Sequence, residues 1–311
     1  MATETIETSD SIRDRSSGHR GTTGRRTTVP HGLRGANLAW YVVLTLLSMV
    51  IVFPLWMTLV RAISNPTKVL LAPEPSLLPV DIQWNAFTQA FTEGGLGRPL
   101  LFSLLLTVVI VSAQLFTSLI AAYAFAFLEF PFKRLMFGIV VATLLLPVEV
   151  TLLTNIKTFQ NLGWISPNQD FGGAFGSLTL PFTAAAVGIF LIRQGFLGLP
   201  RDLRDAAELD GYGHLKFLFK IAVPVTRPII ASFVLISFLG TYNQYVWPRQ
   251  AVQNDQYNTI QLTLRAVAGQ RLDQLNLPFA AALIASVPVL ALLLIFQRQL
   301  ISGLTAGAVK G

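Results

Sequence analysis

Leu199-Pro200-Arg201-Asp202-Leu203-Arg204-Asp205-Ala206-Ala207-Glu208-Leu209-Asp210-Gly211, continuing to Ile221-Ala222-Val223-Pro224 and Pro228, lies between two long apolar runs. It is the largest polar interruption in the apolar part of the chain. Its spacing predicts two short helices. Pro200 suits a first helical turn, where a missing N–H costs nothing, and Asp202 and Asp205 sit near the positive end of the helix dipole. Gly211 can take the left-handed conformation that stops the first helix. Leu199, Leu203, Ala206 and Ala207 fall three and four residues apart and so share a face, which the two alanines make shallow enough for another surface to approach the backbone. A second segment from Tyr212 carries Leu215, Phe217, Leu218, Phe219 and Ile221, and Pro224 is expected to end it. Spacing alone also allows an ordinary amphipathic helix lying on a bilayer surface.

The residues on either side decide that the chain is membrane-embedded. Of the 311 residues 52% are hydrophobic and only 13% charged, with a mean hydropathy of +0.57, outside the usual soluble range. Charge-free runs cover residues 35–60, 99–128, 135–148, 171–192, 228–248 and 274–297, which gives six expected spans. The third is short unless it continues through Glu149 to Ile156. The segment 1–35 is rich in Ser, Thr, Gly and Arg and poor in apolar residues, so it is expected to be a disordered tail. Its arginines resemble the basic start of a signal peptide, but the first apolar run is too long for a cleavable core and reads as an anchor that stays.

Placing the N-terminus inside puts sixteen of the 23 Lys and Arg residues on the inner side and seven on the outer. The positive-inside rule therefore favours cytoplasmic termini and a cytoplasmic loop at 193–228. The net charge of +7 is spread over loops flanking apolar spans and reads as an orientation signal rather than a nucleic-acid surface. With no cysteine, disulfides and thiolate chemistry are excluded.

Asp205-Ala206-Ala207, Gly211, Ile221 and Pro224 stand at the spacing of the signature loop of ABC importer permeases, with Asp205 where Glu is usual, and the chain resembles that family from about residue 37 to the end. The ending Gly303-Leu304-Thr305-Ala306-Gly307-Ala308-Val309-Lys310-Gly311 is similar to that of the maltose-type permeases. Leu144-Leu145-Leu146-Pro147-Val148-Glu149-Val150 and Asn243-Gln244-Tyr245-Val246-Trp247-Pro248 resemble the sn-glycerol-3-phosphate branch. The resemblance implies an all-α type I importer permease with six transmembrane helices, its permease domain covering 36–311. It implies a homologous permease as partner, an extracytoplasmic solute-binding protein, and two ATPase subunits that bind ATP and Mg and dock on Arg201, Leu203, Asp205, Ala206, Ala207, Glu208 and Gly211. It implies a bacterial inner membrane, no cofactor in this chain, and a cargo of glycerol-3-phosphate or glycerophosphodiesters such as glycerophosphocholine. A disaccharide is the alternative within the same architecture.

The chemistry in the residues agrees with a subunit that does no catalysis. No G-x-x-x-x-G-K-[ST] cradles phosphates and no H-E-x-x-H binds a metal. The histidines, His19, His31 and His214, all fall in tails or loops. Glu149 is the one carboxylate inside a plausible span, where insertion costs ~2.5–3.5 kcal/mol, so it calls for a cavity or a partner. It follows Pro147, which breaks the helix. Glu149 fits a substrate role, a structural role paired with Lys157 or another subunit, or a proton-coupled carrier, which is a different class of transporter. Asn243, Gln244, Tyr245 and Trp247 can hydrogen-bond hydroxyls and stack on a ligand, or form an interfacial aromatic belt. Arg193 and Arg249, just past span ends, suit either attraction of a phosphate or anchoring of the helix ends. The Pro- and aromatic-containing loop 61–98 reads as a structured outer cap with a short helix near Trp84 to Phe91. In the family's terms it would contact the binding protein; as plain sequence it also fits a connecting loop.

Overall fold

The computed structural model describes residues 32–71, 76–269 and 274–308, and the side chains of residues 38–71, 76–147, 150–269 and 274–297 within them. The part of the tail at 1–31 lies outside these, and a helix already begins at Gly32. Contacts divide the chain between Phe53 and Pro54, inside its first helix. The helices in order are α1 (Gly32–Ile63), α2 (Pro66–Leu71), α3 (Asn85–Thr92), α4 (Gly97–Phe127), α5 (Lys133–Ala142), α6 (Val148–Asn161), α7 (Phe171–Thr179) and α8 (Ala186–Leu197). They continue with α9 (Arg201–Leu209), α10 (His214–Phe217), α11 (Val223–Val225), α12 (Arg227–Tyr242), α13 (Val246–Ala251), α14 (Ile260–Ala268) and α15 (Asn276–Ala308). No strand occurs among the described residues.

Four stretches are long and apolar enough to cross a bilayer: Leu38–Ile63, Gly97–Phe127, Arg227–Ala251, which takes in α12, the turn at 243–245 and α13, and Asn276–Gln297. Two more are bent pairs, Lys133–Leu145 with Val150–Asn161 at 96° and Phe171–Phe182 with Ala186–Leu197 at 45°. Four of the six expected spans thus correspond to stretches of crossing length, and the other two to bent helix pairs, each with the form of a broken span or a re-entrant loop. In the first bent pair the break falls at Pro147, whose extended ψ of 137° and missing N–H end one helix and start the next. Glu149 accordingly belongs to the first turn of α6 rather than to the middle of a continuous span.

In the larger unit, residues 54–311, α4 packs against α8 and α12, α12 also against α8 and α15, and α3 and α14 against α15. Apolar surface does not drive helices together in lipid; close packing and interhelical hydrogen bonds do. At the crossing of α4, α8 and α12 lies Gly188, where a Cβ would run into both Phe233 Cζ and Ser118 Oγ. Only a glycine admits that approach.

The break between α7 and α8 leaves carbonyls that no helix bonds, and irregular backbone at membrane depth persists only where protein satisfies it. One face of α4 does so. Gln114 Nε2 donates to Phe182 O at 2.8 Å and Thr117 Oγ1 to Thr183 O at 3.1 Å, while Ser118 Oγ adds a second bond, at 3.4 Å, to Ala185 O, which already accepts the first N–H bond of α8 from Ile189. Ser237 of α12 donates to the amide oxygen of Gln114, so one buried side chain joins the bent pair to α4 and α12.

Candidate coupling loop

Pro200, with φ −55° and ψ 136°, stands immediately before α9 as its cap rather than within the first turn. Asp202 lies in that turn, where the dipole favours it. At the other end Gly211 has φ +73°. Its N–H bonds Glu208 O at 3.1 Å, and the N–H of Tyr212 bonds Ala207 O at 2.9 Å. These are the two bonds of a Schellman ending, which needs the left-handed residue that glycine supplies.

The second segment does not stop at Pro224. His214–Phe217 runs on through a π-helical turn, Leu218–Ala222, into Val223–Val225. The N–H of Val223 reaches back five residues to Leu218 O. This wider turn makes room for the proline ring, so the chain bends at Thr226 (φ −93°, ψ 13°) before α12.

The two alanines of the signature have different surroundings. Ala207 is buried in a cluster with Tyr123, Ile192, Phe196, Phe217 and Phe233, whereas Ala206 is exposed. Leu199 is half-buried against the same cluster, and Leu203 is 38% exposed. The face that spacing groups together is thus split: Ala207 seats α9 on its own chain, and Ala206 faces away. Leu209, 90% exposed, adds a large apolar group outside, together with the exposed Arg201, Asp202, Asp205 and Asp210. Nothing in the composition of the loop distinguishes Leu209 from Leu203; only the helix phase fixed by Ala207 does.

Polar contacts hold the loop to α4. Tyr123 OH and His214 Nδ1 are 2.9 Å apart. Arg204 Nε pairs with Glu208 Oε1 at 3.0 Å, its terminal nitrogen donates to Phe127 O at 3.3 Å, and its guanidinium lies 5.7 Å from the Phe127 ring. Arg204 and Glu208 are therefore engaged within the chain. Lys216 Nζ sits 3.8 Å over the ring of Tyr212. Arg193 donates from Nε to Phe125 O at 3.1 Å with its guanidinium 4.0 Å over the Phe137 ring. It anchors helix ends.

The candidate pathway residues at 243–247 have different surroundings. Trp247 is buried, donates from Nε1 to Ser177 O at 3.0 Å and meets the Phe159 and Phe182 rings edge-on. It is a packing residue. Asn243 is exposed and accepts from Gln261 Nε2 at 3.2 Å. Tyr245 and Arg249 are exposed, while Gln244 is half-buried and lines a small cavity with Ser103, Thr107 and Thr241. The side chain of Glu149 lies outside the described residues. Among the described residues, no group of three or more His, Cys, Asp or Glu is placed to hold a metal.

The family model described as "Binding-protein-dependent transport system inner membrane component" matches residues 114–305. A protein of Pectobacterium atrosepticum described as "sn-glycerol-3-phosphate transport system permease protein UgpE" is 29% identical over 279 residues, covering 87% of this chain and 96% of the relative. A protein of the same description from Brucella abortus is 30% identical over 278 residues, covering 86% and 96%. In fold, the chain matches a chain of a bacterial ABC transporter involved in the import of the acidic polysaccharide alginate, with a TM-score of 0.74 at 18% identity, over 86% of this chain and 98% of that one.

Proposed function

The chain belongs to the binding-protein-dependent transport system inner membrane components and is the permease subunit of an ABC importer; on that premise we propose that its cargo is glycerol-3-phosphate or a glycerophosphodiester such as glycerophosphocholine. The observation that carries the cargo is the relatives' likeness over 86–87% of this chain and 96% of their own length. It covers most of this chain and nearly all of each relative rather than a shared loop alone.

In this reading a homologous permease completes the pathway and a binding protein delivers cargo from outside. Two ATPase subunits take the exposed side of α9, and ATP and Mg belong to them. The chain itself is non-catalytic. Both termini lie in the cytoplasm, as the excess of Lys and Arg on that side supports. The seating of α9 on α4 and α10 by Ala207, Tyr123–His214 and Arg204 supports its role as a rigid lever. Closure of the ATPases then moves the loop as a body and switches the pathway between outward and inward access. Energy comes from the partners, which removes the need for Glu149 as a proton carrier.

The test is ATPase activity of the co-purified complex in lipid, with its binding protein loaded with glycerol-3-phosphate, glycerophosphocholine or a disaccharide. Stimulation by the glycerophosphate compounds alone is expected. Stimulation by the disaccharide alone would discard the cargo and keep the importer.

A further inference from the structure

Where α4, the end of α12 and the start of α14 meet, the structure has a small cavity, apolar over much of its wall, with an unanswered hydroxyl beside it. Thr259 immediately precedes α14, the position from which a threonine hydroxyl normally accepts an N–H of the first helical turn. It makes no such bond. Ser103 of α4 takes over part of that task, its Oγ accepting the N–H of Ile260 at 2.8 Å. Thr259 is only 6% exposed, and its Oγ1 is a buried polar atom with no protein partner. A buried hydroxyl left in that condition is costly, and native structures answer such groups with protein or water.

Thr259 lines a cavity together with Ser103, Thr107, Thr241 and Gln244. The cavity leaves ≈ 20 Å³ for the centre of a water molecule, which is room for at least one. None of its lining side chains carries a charge. The one weakly acidic group there, Tyr242, donates its hydroxyl to Ala285 O at 2.9 Å. An ion would find no opposite charge in it. What fits is a neutral group of one oxygen that both donates and accepts.

We propose that this cavity holds a resident water molecule, hydrogen-bonded by Thr259 Oγ1, which ties the start of α14 to α4 and to the turn after α12. The same chemistry is available from a hydroxyl of passing cargo, and the test separates the two sources. The assignment stands whether or not the cargo is a glycerophosphate.

A reconstruction of the assembled transporter, without cargo and at a resolution that shows ordered water, should contain an isolated peak within hydrogen-bonding distance of Thr259 Oγ1. Thr259→Val gives the sign independently. Valine keeps the shape and removes the hydroxyl, so an empty cavity would make the variant equal or more stable, whereas a resident water loses a partner. The expected result is an unfolding midpoint of the complex about 2–4 °C lower for Thr259→Val, with Thr259→Ser close to the parent. No peak together with an unchanged or raised midpoint overturns the proposal. Density present only with cargo, and continuous with it, also overturns it and makes the cavity a cargo subsite.

Discussion

The backbone N–H of Tyr212 donates to the carbonyl of Ala207 across 2.9 Å, closing α9 over the left-handed Gly211. Any L-residue at φ +73° carries a steric cost of about 1–2 kcal/mol. Gly211→Ala is expected to insert normally and transport more slowly. Gly211→Pro cannot reach that φ and has no N–H for Glu208 O, so uptake should be lost at unchanged membrane expression. Wild-type uptake in the proline variant would overturn the coupling role of the loop.

Ala206 and Ala207 separate two requirements that the signature combines. Ala207→Trp forces a large ring into the cluster around Tyr123 and Phe217, where overpacking costs about 1–3 kcal/mol. It should lower the unfolding midpoint of the purified permease and abolish transport. Ala206→Trp adds the same ring on the exposed side and should leave that midpoint alone while preventing recovery of the ATPase with the complex. Equal behaviour of the two variants in both assays would show that the helix phase does not matter.

The sequence made the spans legible because the absence of charge over twenty or so residues has few other causes. It made the loop legible because Pro200, the paired alanines and Gly211 each carry a local backbone instruction. Pro147 likewise announced a break that the structure contains. The partition of Ala206 from Ala207 was hidden, because both lie on one broad stripe and only the packing of Tyr123 and Phe217 decides which turns inward. The continuation through Pro224 was hidden too, since a π-helical turn that accommodates a proline leaves no mark in hydrophobic periodicity. Trp247 and Gln244 look equally suited to a ligand in the sequence; burial assigns the first to packing and leaves the second beside a cavity. Gln114 leaves no mark in the sequence, because it is uncharged and sits in an apolar run.

That glutamine is a further point of test. Gln114→Leu removes the donor to Phe182 O and the acceptor for Ser237 at a buried site, leaving two polar groups unanswered. Each such loss costs about 1–3 kcal/mol. The variant is expected to unfold well below the parent, and Gln114→Leu combined with Ser237→Ala should recover part of the difference. An unchanged midpoint in the single variant would mean that the break between α7 and α8 is held by something else.

The segment 61–98 carries its own pH response. Lys68 Nζ lies 2.9 Å from Asp81 Oδ2, and Asn65 donates to the same oxygen at 3.0 Å while its own Oδ1 accepts the N–H groups of Thr67 and Lys68 at the start of α2. The bond from Lys68, then that from Asn65, holds the Asp81 carboxyl below its ordinary 3.8. A carboxyl lowered in the folded state stabilises fully above its unfolded value and loses that contribution as pH falls through the folded one. Protection of the α2 amides, taken as exchange relative to the intrinsic rate at each pH, should therefore be flat from pH 5 to 8 and weaken below about pH 4. The pair is exposed, so the effect should be small and fade with added salt. Lys68→Ala should remove most of it. The same acid response in that variant would assign it to another group.

Leu209 is the sharpest test of which side of α9 meets a partner. At 90% exposure it is a large apolar side chain at the end of a helix whose inward contacts are already made by Ala207. Exposed apolar groups among polar neighbours are ordinary singly, but here Ala206 lies on the outward side as well and Asp202, Asp205 and Asp210 surround them. A cleft that takes this side has to accept a leucine within an acidic rim. Leu209→Lys replaces the leucine with a cation, an exchange that touches nothing within the chain. The purified permease should keep its unfolding midpoint, while the ATPase fails to co-purify and uptake falls at least tenfold, equivalent to about 1.4 kcal/mol of lost association. Co-purification and uptake at parental levels would move the docking surface off this side of α9.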